Sequence, residues 1–206
     1  MSDTVKHHLH LKLSCSLVGA VAHERMSPSH RQPPGMEAHA DVPRKSAVMV
    51  LLYGELDSLS VLFIQRPEYD GHHGGQMAFP GGKMDLSDET LLDTSIRECY
   101  EEIGICVLPS DIIGELTPLH IPVSNMDVYS YIAYLPQLPL LSIDRREVSY
   151  TVSAPISALL QPETVCHKTS IINNTSVNIP YYKIEDHEIW GATAMITSEL
   201  LAMLVG

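Results

Sequence analysis

Positive charge is scarce in this chain. Lys and Arg number 13 against 25 Asp and Glu, a formal net charge of -12. A protein that coats nucleic acid needs the opposite balance, so no nucleic-acid partner is expected. An anionic small-molecule substrate fits only if a divalent cation mediates the contact. Long apolar runs are also missing. None approaches the ~20 residues that span a bilayer, so no membrane partner is expected. The four cysteines, Cys15, Cys99, Cys106 and Cys166, form no Cys-x-x-Cys pair. That removes the zinc knuckle and the dithiol redox motif. Widely spaced single thiols read as reduced, and the location they predict is cytoplasmic. There is one tryptophan, Trp190, read as a packing anchor. Internal repeats and low-complexity tracts are absent.

What is present suits a globular protein. The 206 residues are 45% hydrophobic. At that length folding buries roughly 70% of the unfolded surface, so neither a metal nor a disulfide is needed to make a core. One domain with extra segments is expected. Residues 1–43 read as an N-terminal helical segment and linker, and residues 44–206 as the main domain. Lys6-His7-His8-Leu9-His10 reads as a solvated helix. Leu13 to Ala22 has the outline of a signal peptide but carries Ser14, Ser16 and Gly19, so it reads as a local helix packed on the domain. Pro28 to Pro43 reads as a linker.

The run Ala47 to Tyr53 is continuously apolar, which suits a strand buried on both faces. Leu59–Gln65 follows as a hairpin partner. Phe79-Pro80-Gly81-Gly82 reads as a break in regular structure. Ser87 is a candidate cap for a helix from about Glu89 to Ile103, stopped by Gly104. Further strands are predicted near 112–119, 128–135, 164–172 and 176–184. A short helix is predicted at 155–160 and a terminal helix at 191–204. Strands with helices between and after them predict a mixed α/β sandwich.

The helix ending at Gly104 carries the chemistry. On a helical wheel, Leu92, Ile96, Cys99 and Ile103 form one stripe, and Glu98, Glu101 and Glu102 lie nearly opposite it. Like charges at i,i+3 and i,i+4 destabilise a helix, and no Lys or Arg at i±4 is expected to offset this patch. Acidic groups near a helix C-terminus also oppose its macrodipole. A hard divalent cation such as Mg²⁺ or Mn²⁺, which favours oxygen ligands and shares substrate phosphates, would repay this arrangement. Gly81-Gly82 allows close backbone approach, and a Gly82 carbonyl is a candidate further ligand.

Arg97-Glu98-Cys99-x-Glu101-Glu102-x-Gly104-Ile105 resembles the second half of the Nudix box. In the first half, Gly82 to Glu89 is one residue longer than the usual spacing, unless Asp88 takes the glutamate's place. Arg66 … His73-x-Gly75-Gln76-x-x-Phe79-Pro80-Gly81-Gly82-x-x-Asp85 resembles the coenzyme A pyrophosphatase branch of that family. So do Leu119 to Asn125, Arg146-Glu147-Val148 and Ile189 to Thr193. One departure is Gly71, where the branch has a second arginine.

The resemblance implies an α/β/α sandwich with a mixed central sheet. It implies metal-dependent hydrolysis of a pyrophosphate bond in a nucleoside diphosphate derivative. In the coenzyme A branch the products are 3',5'-ADP and 4'-phosphopantetheine. The cofactor it implies is Mg²⁺ or Mn²⁺, held by Glu98 and Glu102, with Glu101 as a further or water-mediated ligand. Glu98, Glu101 and Glu147 are candidates for the general base, and Arg97 for orienting the carboxylates. Arg66, His73, Gln76 and Lys83 are candidate substrate contacts. Alternatives are a Nudix enzyme for ADP-ribose, a dinucleotide or a nucleotide sugar, and a non-catalytic nucleotide-binding module. The assembly expected is a homodimer.

Overall fold

A computed structural model of the chain describes residues 2–29, 41–68, 74–172 and 174–205. Gly71, His72, His73 and the linker residues 30–40 lie outside the described residues.

The apolar run becomes strand β1 (Arg44–Tyr53). Met49, Val50, Leu51 and Leu52 are all fully buried, two on each face, as a continuous apolar strand requires. Strand β2 (Ser60–Gln65) pairs antiparallel with its far end, Leu52 opposite Val61. Along its whole length β1 pairs parallel with β7 (Met126–Leu135), from Arg44 opposite Met126 to Tyr53 opposite Leu135. A parallel pair needs a long crossover, and the intervening chain carries helix α3 (Leu91–Ile103).

The central sheet runs β3-β2-β1-β7-β5, with β3 at Met77–Ala78 and β5 at Ile112–Glu115. Strands β4 (Gly81–Lys83), β6 (Leu119–Ile121) and β8 (Tyr150–Pro155) attach to β1, β7 and β2. α3 covers one face, its Cys99 and Ile103 buried with Met49 and Leu51. On the other face lie α1 (Ser2–Leu13), α2 (Ala20–Arg25) and α5 (Gly191–Val205). Val5, Leu9 and Leu13 of α1 share a core with Val50, Phe63 and Leu200. The fold is thus an α/β/α sandwich on a mixed sheet. A three-stranded antiparallel sheet, β9 (Val165–Ile172), β10 (Thr175–Ile184) and β11 (His187–Trp190), is added to it. α4 (Ile156–Leu159) is one short turn. Among the described residues no helix is long and apolar enough to cross a membrane.

Several expectations are corrected. Gly81-Gly82 does not break regular structure; it forms β4, with Gly81 opposite Val48 and Gly82 opposite Ala47. A Cβ at Gly81, where φ is +154°, would overlap the Ala47 carbonyl, so the ladder closes only on glycine. The strand predicted at 112–119 is split into β5 and β6. Helix α1 is not solvated all round, since one side of it is core.

A buried polar knot ties the two ends of the chain together. Glu199 of α5 is fully buried and accepts from Gly19 N (2.9 Å), His23 Nε2 (2.9 Å), and Thr117 N and Oγ1 (3.1 and 2.6 Å). Burial pushes its carboxyl pKa up, but these hydrogen bonds, His23's first, outweigh burial and hold it below the usual range.

Candidate active site

Helix α3 starts at Thr90, not at Ser87. The Thr90 hydroxyl accepts from Asp93 N, and the Asp93 carboxylate accepts from Thr90 N, a reciprocal capping box. Ser87 instead bonds Asp85. The helix ends at Gly104 in the left-handed region, φ 74°.

The last carbonyls of a helix lack partners within it. Here the loop after β7 supplies them. Asp144 N donates to Glu102 O (3.0 Å) and Ser142 N to Ile103 O (2.9 Å). The loop then turns on Asp144, whose carbonyl accepts from Glu147 N and Val148 N. The Asp144 carboxylate accepts from the Arg146 guanidinium. This docking carries Glu147 to α3. One carboxylate oxygen each of Glu98, Glu102 and Glu147 then lie within 4.8 Å of one another.

Glu102 is only 1% exposed, although the wheel sets it nearly opposite the apolar stripe. The wheel described an isolated helix, whereas β4 and the 142–148 loop cover its last turn. Glu102 Oε2 accepts from Gly81 N at 2.8 Å. Burial pushes its pKa up to about 8, against that bond and the charge of Arg66. Burial also raises Glu98, against Arg97 and with the charges of Glu101 and Glu147. Gly82 lies against Glu98, where a Cβ would overlap the carboxylate.

Arg97 offsets the acidic patch, contrary to the expectation that no cation does. Its Nε and Nη2 each reach Asp88 at 2.9 Å, and Nη1 reaches Glu98 (3.0 Å) and Glu101 (2.8 Å), the latter at i,i+4. Nη2 also donates to Lys83 O at 3.2 Å. This grip holds the Asp88 carboxyl well below the usual carboxylate range. Asp88, not the exposed Glu89, thus takes the place left open by the box spacing. The signal was there: a carboxylate one residue early.

Glu101 is not part of the three-carboxylate cluster. Its side chain is 51% exposed and held by Arg97. Arg66 sits at the end of β2, its Nε buried with no hydrogen-bond partner among the described residues, and its backbone N–H donates to Gln76 O at 3.1 Å. Gln76 is half-buried and Lys83 exposed. His73 lies outside the described residues. Trp190 is partly buried under the Lys168 ammonium, 5.2 Å from its ring.

One buried, one half-buried and one exposed carboxylate, Glu102, Glu98 and Glu147, with one guanidinium on Glu98, form an all-oxygen donor set that a hard divalent cation fits. Comparisons with known proteins agree. A model of the NUDIX domain matches residues 43–166. A probable nudix hydrolase of Schizosaccharomyces pombe is 30% identical over 159 residues, 77% of this chain and 55% of that protein. The chain therefore spans about half the length of this relative. The human mitochondrial coenzyme A diphosphatase is 29% identical over 166 residues, covering 79% of this chain and 70% of that one. A MutT/nudix family protein from Enterococcus faecalis has a similar fold, with a TM-score of 0.59 at 21% identity, over 100% of this chain and 74% of that one. With Glu98 against Gly82, Glu102 bonded to Gly81, and the NUDIX model matching residues 43–166, the chain belongs to the NUDIX family.

Proposed function

We propose that this protein hydrolyses the pyrophosphate linkage of coenzyme A or its thioesters, giving 3',5'-ADP and 4'-phosphopantetheine, with Mg²⁺ or Mn²⁺. The observation that carries the reaction class is the Glu98–Glu102–Glu147 cluster beside Arg66. Support for the substrate comes from the human relative named for coenzyme A and from the segments resembling that branch.

Glu98 and Glu102 would hold the cation, with the Gly82 carbonyl as a further ligand. When bound, the cation neutralises phosphate oxygens and acidifies a water. Arg97 fixes Glu98 from one side and ties Glu101 and Asp88 to the same fork. Glu101 is therefore a positioning residue. Glu147 is in no ion pair among the described residues, and we assign it the proton from the attacking water. The Arg66 Nε donor has no acceptor among the described residues and would suit a phosphate oxygen. Gln76 and Lys83 are the further candidate substrate contacts among the described residues, and His73 is one by the resemblance alone.

A second reading, a Nudix enzyme for ADP-ribose, a dinucleotide or a nucleotide sugar, is favoured by Gly71, which leaves one arginine fewer for coenzyme A. The test is kcat/KM for coenzyme A, 3'-dephospho-coenzyme A and ADP-ribose, with products identified by mass. Coenzyme A is expected to lead. If ADP-ribose leads by more than about tenfold, the second reading replaces the first. EDTA should abolish turnover and Mg²⁺ or Mn²⁺ restore it; full activity in metal-free buffer would refute the cation's role.

A further inference from the structure

Two arginines stand immediately before Glu147 in the chain, and both are engaged elsewhere. Arg145 Nη1 donates to Ser149 O. Arg146 is drawn back onto Asp144. Its Nε lies 3.0 Å from Oδ1 and 3.2 Å from Oδ2, and its Nη2 also donates to Oδ2. The Arg146 backbone N–H donates to Asp144 Oδ1 as well, at 2.9 Å. A carboxylate that accepts from the N–H two residues on closes an Asx turn. Asp144 therefore shapes the turn and captures the guanidinium with the same two oxygens.

The reach of an arginine side chain does not require this choice. On α3, Arg97 reaches the carboxylate of the residue that follows it, Glu98, at 3.0 Å. Arg146 bears the same relation in sequence to Glu147. The Glu147 charge is also close enough to act on it: Asp144 first, and Glu147 after it, raise the Arg146 pKa. Yet among the described residues the ion pair that Arg146 makes is with Asp144. The difference matters because the two glutamates do different work. A guanidinium has five donors and no acceptor. On Glu98 it fixes the orientation of a cation ligand. On Glu147 it would take the oxygens that have to receive a proton from water. The backbone of residue 144 is held independently of its side chain. Its N–H donates to Glu102 O, and its carbonyl accepts from Glu147 N and Val148 N.

We propose that Asp144 is a positioning residue that acts through Arg146: it holds the guanidinium away from Glu147, so that the Glu147 carboxylate stays open to the attacking water. This rests on the reading of Glu147 as the acceptor of that water's proton.

The experiment uses Asp144→Asn, Arg146→Gln and the double variant in the full chain, with Glu147→Gln as the reference. Asparagine keeps an Oδ1 acceptor for the turn and loses the charge that captures the guanidinium. An exposed ion pair shifts an equilibrium by up to about fivefold. With Mg²⁺ and whichever of coenzyme A and ADP-ribose is cleaved faster, Asp144→Asn should lower kcat by about three- to fivefold and leave KM within about twofold. Arg146→Gln alone should keep the unsubstituted kcat, and added to Asp144→Asn it should restore it. A turn that had merely loosened would not be rescued by removing Arg146. A double variant as slow as Asp144→Asn therefore overturns the proposal, and so does an unchanged kcat in Asp144→Asn where Glu147→Gln is slow. A crystal structure of Asp144→Asn is the second readout. Arg146 is expected within about 4 Å of the Glu147 carboxylate; a guanidinium that stays on residue 144 or turns to solvent overturns the proposal. If Glu147→Gln keeps full kcat while Arg146 has moved onto Glu147 in that structure, Asp144's hold on Arg146 stands and the reading of Glu147 as proton acceptor alone fails.

Discussion

Adjacent glycines at the heart of the site do different work, and substitution separates them. At Gly82 an added methyl meets the end of a side chain, the Glu98 carboxylate, which can swing aside. Gly82→Ala is expected to keep the fold, with stability changed by less than about 1 kcal/mol. It should cut kcat by roughly a hundredfold, since misplacing a reacting group by about an ångström carries that penalty. At Gly81 the methyl meets backbone, the Ala47 carbonyl and the Val48 Cα, at a φ that L-residues avoid. Gly81→Ala should cost at least about 2 kcal/mol. Thermal melts and steady-state kinetics on the pair check this; equal losses of stability would show that Glu98 cannot yield. Part of this was legible beforehand. Gly-Gly before an acidic helix announced close approach, but not which neighbour approaches, because the neighbours of Gly81 sit more than thirty residues away on β1. Glu102 stood out as a candidate in the acidic triad but not as buried, since its cover comes from a loop forty residues on.

At the scale of elements, α3 and the 142–148 loop act as one unit through two backbone hydrogen bonds and Gly104. A Cβ at Gly104, where φ is +74°, would lie 2.6 Å from Ser142 Cβ. Gly104→Ala should cost about 1–3 kcal/mol and reduce kcat by lifting Glu147 away from the helix. Adding Ser142→Gly should recover part of the kcat but not the strain of the left-handed residue. No recovery in the double variant would mean that the loop position does not depend on this contact. Long elements with a clear apolar pattern, β1, β7, β10 and α5, could be read from their residues. Of the short ones, β2 and α4 were read, but four others were not. β3, β4, β8 and β11 exist because a neighbouring strand offers a ladder, and two to six residues are too few to carry a period of their own. Thr90 was missed as the cap because its partner at the third helical position is Asp93, while Ser87 offered an equally good hydroxyl.

At the scale of the molecule, the NUDIX match covers residues 43–166, yet His23 and Glu199 lie on either side of it. Their buried knot makes α2 and α5 part of one core. Glu199→Ala leaves His23, Thr117 and Gly19 N without an acceptor and should cost about 3–5 kcal/mol. The sign of the pH dependence follows from the depressed native pKa. The knot contributes stability at pH values above the unfolded carboxyl's about 4.3, and loses it as pH falls through the lower native value. Urea denaturation at pH 7 and at about pH 3 should therefore show the gap between the unsubstituted protein and Glu199→Gln shrinking in acid. A gap that stays constant would mean that the carboxylate's charge plays no part.

The parallel ladder of β1 and β7 also sets the order in which this protein can be made. Each of its ten pairs joins residues 82 positions apart. No local hairpin can nucleate it, and the entropy of closing so long a loop comes due before any contact repays it. During synthesis the Ala47–Leu52 segment leaves the ribosome well before Ile132 and Ala133 exist to cover it. A bare, flat, apolar strand waiting that long invites pairing with other chains. Refolding from denaturant, followed by stopped flow, should fall in the millisecond-to-second range of non-local topologies rather than in microseconds. For this protein chaperone demand is written into the central strand itself.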